Sequence, residues 1–196
     1  MAGEQHPTLK AATLLFVYFA AMAGSMVDLS IAAGYLTATG APGLIVSGVV
    51  ALASGLAFLA WSLWGLHRNS LVFPRLALPA LAAAAAAHIA VVIWSVATPG
   101  RSLDVSHLAA FSLSLMALGG GGWLRRQHKT NDGGAHGLPR TGRLLAAAFG
   151  AAVVVASVAT PGLAASMAGQ HAVPHGEHAK APSEGTHPGL TPSRHH

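Results

Sequence analysis

Polar residues in this chain are gathered into short clusters, and the stretches between them are almost uniformly apolar. A membrane-spanning helix needs about 20 mostly apolar residues. Five segments meet or approach that length: residues 11–33, 44–66, 76–97, 105–124 and 144–167. Pro79 falls near the start of the third, where the first turn of a helix tolerates it. The fourth is the weakest, because Gly119–Gly122 interrupts it close to its end. The fifth has to run past Pro161 and Gly162 to reach Met167. The pattern predicts an all-α integral membrane protein, a bundle of about five transmembrane helices. Residues 1–10 then form a short N-terminus, 11–168 the bundle, and 169–196 a disordered tail rich in Pro, Gly, Ser and His. Four spans, with the fourth segment failing to cross, is the competing arrangement.

The first segment has one feature of a secretory signal, an apolar run behind a basic residue. Lys10 is a thin basic flank, however, and Asp28 and Ser30 sit inside the run, so a retained span is expected.

Charge gives the threading a direction. Lys10, Arg68, Arg75, Arg125, Arg126, Lys129, Arg140 and Arg143 all fall on one side of the five spans, against Arg101, Lys180 and Arg194 on the other. The positive-inside rule then places the N-terminus in the cytoplasm and the C-terminus outside the plasma (inner) membrane. Trp61, Trp64 and Trp123 fall at the expected inner ends, and Tyr35 and Trp94 near the outer ones, as interfacial aromatic belts require.

Composition agrees. Hydrophobic residues make up 53% of the 196 and charged residues 9%, where a soluble domain carries about 25% charged. Cysteine is absent, which excludes disulfides, thiolate metal sites, iron–sulfur clusters and cysteine nucleophiles. A pI near 10.5 would suggest nucleic acid if the basic residues shared a soluble face. Most of them flank apolar segments instead, so the expected surroundings are lipid and not nucleic acid.

Ser95-Val96-Ala97-Thr98-Pro99-Gly100 recurs as Ser157-Val158-Ala159-Thr160-Pro161-Gly162. Both copies end a helix running in one direction, which supports parallel third and fifth helices. A shared helix-stop composition explains the match without a common ancestor repeat. Small residues crowd the spans: Ala82–Ala87 is unbroken, and Ala20/Gly24 and Ala51/Gly55 have small-xxx-small spacing. Such faces let helices approach closely, within the bundle, against another membrane subunit or in self-association.

Candidate chemistry lies in three places. The tail holds His171, His175 and His178 at a spacing that can bring imidazoles onto copper, zinc or nickel. Asp28 is the single acidic residue inside an expected span, roughly 8 Å from its outer end, and an intramembrane carboxylate marks a functional site by default. Met22 and Met26 precede it at i, i+4 spacing, so an Asp/Met mouth, with His107 nearby, would suit a soft ion. The methionine spacing resembles the MxxxM element of eukaryotic-type copper transporters. The three spans and GxxxG helix of that family are not reproduced, and no membership follows. His88 lies about ten residues into the third span and His107 about three into the fourth, a depth mismatch of roughly 10 Å that disfavours a bis-histidine haem. His88 is therefore expected to bond a helix neighbour or to act alone as a proton-relay element.

No Ser/His/Asp constellation, phosphate loop or dinucleotide fingerprint is present. The expected function is accordingly not enzymatic. It is metal-ion handling through the outer tail and the Asp/Met/His mouth, with a small accessory subunit of a larger membrane complex as the alternative.

Overall fold

The computed structural model describes residues 5–38, 42–99, 103–130 and 141–166. These form five helices: α1 (Gln5–Thr37), α2 (Pro42–Arg68), α3 (Pro74–Ala97), α4 (Val105–Thr130) and α5 (Thr141–Ala165). All five contain stretches long and apolar enough to cross a membrane, and there is no strand among the described residues. The described residues are thus all-helical, and the five apolar helices fit a multi-pass membrane protein. The C-terminal segment with His171, His175 and His178 lies outside the described residues.

Antiparallel neighbours build the bundle. Gly48 of α2 meets Tyr35 and Leu36 at the end of α1, while Gly65 meets Tyr18 further back. Gly120 and Gly121 of α4 face Val17 of α1 and Leu78 of α3. Ser106 at the start of α4 donates to the Gly162 carbonyl near the end of α5 (3.0 Å). Helices α1, α3 and α5 therefore run parallel, in agreement with the direction read from the repeated Ser-Val-Ala-Thr-Pro-Gly segment.

The centre of the bundle is α1, which packs on α2, α4 and α5, whereas α2 packs extensively on α1 alone. Half of the most apolar window of α1 is buried, against 11% for α2. Val17, Tyr18, Ala20, Val27, Leu81 and Leu113 lie in the core.

Two features, the glycine run and Pro79, differ from the sequence expectation. Gly119–Gly122 does not interrupt the fourth span, and α4 continues to Thr130. A Cβ at Gly120 would come within 2.6 Å of Val17 Cγ2, and one at Gly121 within 2.7 Å of Leu78 Cδ2. These glycines let the helices touch, and the contacts so gained hold the helix through its weak propensity. Pro79 is not in the first turn, because α3 begins at Pro74, a favoured position for proline. Pro161 lies inside α5, which runs on to Ala165; neighbouring helices in a membrane bundle tolerate such a residue.

Candidate functional site

The bundle end formed by the last turns of α1, α3 and α5 and the first turn of α4 carries a connected set of polar side chains. Asp28 and Tyr35 stand seven residues apart on α1, two helical turns, and so share a face. Asp28 is only 4% exposed. Facing it is His88 of α3, whose Nε2 lies 3.1 Å from Asp28 Oδ1. The N–H direction is off the line to the oxygen, since Oδ1 is buried without an aligned hydrogen bond. The carboxylate and the imidazole are thus close neighbours in a buried setting, where ionisable groups mark candidate functional positions.

The other side of His88 meets α4. His88 Nδ1 lies 3.1 Å from His107 Nδ1, and His107 Nε2 lies 2.9 Å from the Tyr35 hydroxyl. Asp104 fixes the start of α4: its Oδ1 accepts the His107 backbone N–H at 3.1 Å, the N-cap bond that satisfies an otherwise orphaned helix donor. Its second oxygen, Oδ2, is 3.9 Å from His107 Nε2. A pocket of about 360 Å³ opens beside this turn, lined by Tyr35, Asp104, Ser106, His107 and Ser166 among others. Ser166 is tied to Ser30 of α1 at 2.5 Å.

Proton order in this row is constrained. With its hydrogen on Nε2, on the side of Asp28, a neutral His88 offers a lone pair at Nδ1. His107 can fill the gap by donating Nδ1–H, and its Nε2 then accepts from the Tyr35 hydroxyl. That order hydrogen-bonds Tyr35, His107 and His88 in a chain, with Asp28 Oδ1 3.1 Å beyond His88 Nε2 but not aligned with it. The other neutral arrangement places Nε2–H on both rings, on the sides of Asp28 and the Tyr35 oxygen. Two Nδ1 lone pairs then face each other and need a proton between them.

The residues singled out from sequence separate into two groups. Asp28 and His107 belong to the row. Met26 does not: it is exposed while Asp28 two residues on is buried, a consequence of the roughly 200° between them around the helix. Met22 is half-buried and has no place in the row. The depth argument that kept His88 and His107 apart is overturned by their 3.1 Å contact. It assumed that α3 and α4 end at one level, and the contact requires that they do not. Three members of the row, His88, Tyr35 and Asp104, were absent from the expected site. The seven-residue spacing of Asp28 and Tyr35, and an Asp three residues before a His at a helix start, are the signals that point to two of them.

Among the described residues no group of three or more His, Cys, Asp or Glu converges on a single point. No protein-family model matches the chain, and no curated protein or solved structure does so either.

Proposed function

We propose that this chain is a multi-pass protein of the plasma (inner) membrane that handles a transition-metal ion at its outer end. The observation that supports this reading best is the spacing of His171, His175 and His178, whose neutral imidazoles suit copper, zinc or nickel. In this reading the N-terminus is cytoplasmic and the Asp104 end faces outward. The pocket at Tyr35 and Asp104 is the entry, and His171, His175 and His178 collect the ion outside. The role is binding and transfer, without catalysis.

Metal analysis of the protein purified from membranes tests this. The chain is expected to carry copper, zinc or nickel, and His171→Ala/His175→Ala/His178→Ala to lose it. Equal metal content in both would reject the proposal.

The alternative is a small accessory subunit of a larger complex. It draws on α2, which leaves Ile45, Val46, Val49 and Val50 exposed. Gentle detergent extraction separates the readings: a subunit migrates with an assembly several times its own 19.7 kDa and carries no metal of its own.

A further inference from the structure

We infer that the groove between α3 and α4, at the arginine-bearing end of the bundle, is a binding site for the phosphate head group of an anionic phospholipid. The site lies apart from the histidines and is independent of the metal-handling reading, resting on the bilayer setting alone.

Charge is segregated along the bundle. Asp28 and Asp104, the carboxylates among the described residues, lie toward the His107 end. Lys10, Arg68, Arg75, Arg125 and Arg126 lie toward the other end, where α1, α3 and α5 begin and α2 and α4 finish. The ion pairs formed by described residues join those two carboxylates to histidines, so Arg75, Arg125 and Arg126 have no carboxylate partner among the described residues. All three are exposed. Arg68 differs, because it stacks over Trp64 of its own helix at 5.6 Å.

The unpaired charge borders a cavity of about 270 Å³ lined by Leu78, Gly122, Arg125 and Arg126. Close approach of Gly121 to Leu78 brings α3 and α4 together, while a Cβ on Gly122, the next residue, would meet nothing within 4 Å. The missing side chain at 122 leaves the space. Arg125 and Arg126 follow Gly122 by three and four residues, so they stand on its face of α4, and helical side chains lean back over the preceding turn. Arg75 comes three residues before Leu78 and shares its face of α3. Arginines thus stand on both walls of one groove.

The chemistry selects the ligand. Guanidinium binds phosphate through paired, charge-assisted hydrogen bonds, and basic pockets between membrane helices take anionic lipid head groups. The groove also has an apolar extension. Beyond Gly122 the same face of α4 runs into the bundle through Gly119, where a Cβ would again meet nothing within 4 Å, to Leu115, which is 45% exposed. Leu115, Gly119, Gly122 and Arg126 are spaced by four, three and four residues, a continuous stripe of one helix. A lipid phosphate held at the arginines can lay an acyl chain along that stripe, which a free phosphate cannot use.

The test uses the full chain, extracted in detergent and stripped of co-purified lipid, with native mass spectrometry reading the bound species. Dioleoylphosphatidylglycerol, dioleoylphosphatidylcholine and glycerol 3-phosphate are titrated separately. One phosphatidylglycerol per chain is expected to bind about 30-fold more tightly than phosphatidylcholine, the weight of two basic residues beside an anionic lipid. Glycerol 3-phosphate should not bind in the same concentration range. Arg125→Gln/Arg126→Gln should abolish the preference, and Gly122→Leu, which fills the groove without touching a charge, should lose most of the binding. Arg68→Gln should retain both. These exposed positions leave the fold intact.

Preference retained in Arg125→Gln/Arg126→Gln, or full binding in Gly122→Leu, would overturn the groove as the site. An equal loss in Arg68→Gln would overturn it too, in favour of the diffuse field of the whole basic end. Glycerol 3-phosphate bound as tightly as the lipid would overturn a lipid as the source of the phosphate. Equal binding of the two lipids would overturn the inference outright. None of these outcomes bears on metal content, which the tail variants read separately.

Discussion

The two ends of the bundle use the same kinds of side chain in opposite ways. At the end where α2 turns into α3, Tyr18 donates its hydroxyl hydrogen to the Ser70 carbonyl (2.7 Å) and accepts from the Val72 backbone N–H (3.1 Å). Trp61 donates to the Val72 carbonyl (2.8 Å) and packs against the Tyr18 ring with centroids 4.9 Å apart. Both side chains engage backbone, and the result is a clamp on residues 69–73. That segment needs one, because Asn69 and Phe73 adopt left-handed backbone conformations with φ of 48° and 46°, uncommon for Asn and costly for a bulky residue. At the Asp104 end the side chains Asp28, His88, His107 and Tyr35 engage one another. Side chains that satisfy backbone hold the fold. Ionisable side chains that satisfy each other can change protonation without unmaking a helix.

The comparison is broken most severely at Gly65. A Cβ there would overlap the Tyr18 ring, so Gly65→Leu should leave little folded protein, measured as the monodisperse fraction after extraction. Tyr18→Phe keeps the packing but strips two hydrogen bonds from loop backbone, a loss of about 1–3 kcal/mol. It should lower the thermal midpoint while metal binding in the surviving protein stays at the parent level. A matching loss of metal would show that the two ends are not independent. At the other end, Asp104→Ala removes the α4 cap, at a cost of about 1 kcal/mol. Asp104→Asn retains a capping oxygen and should be within about 0.5 kcal/mol of the parent. Thermal unfolding of the pair separates the cap from the charge.

Much of the fold is legible along the chain because span length and apolarity are local properties. The observed α2, α3 and α5 cover residues 42–68, 74–97 and 141–165, within a few residues of the segments read from sequence. The site is less legible because it depends on the relative height of helices, which no single segment encodes. Counting inward from helix ends placed His88 and His107 at different depths, and only their 3.1 Å contact shows that α3 and α4 are offset. Glycine is ambiguous for a related reason. Gly119–Gly122 has the composition of a break, yet Gly120 and Gly121 are close-packing positions against Val17 and Leu78, a role visible only once the neighbours are in place. Asp28 stood out because an acidic residue in an apolar span is anomalous by itself. Tyr35 did not, because an aromatic at a span end already has an ordinary interfacial explanation.

An ion on the tail imidazoles, with a hydrogen bond and no metal joining His88 to His107, is the central claim, and X-ray absorption at the zinc edge tests it most directly. The zinc-loaded chain is set beside the same chain with His171, His175 and His178 changed to Ala, and beside one carrying His88→Ala. Imidazole nitrogens at about 2.0–2.1 Å are expected in the first and third, with the remaining shell made of oxygen, and zinc largely lost in the second. Zinc and nitrogen ligands kept by the tail variant but lost with His88→Ala would place the ion in the bundle and contradict the account.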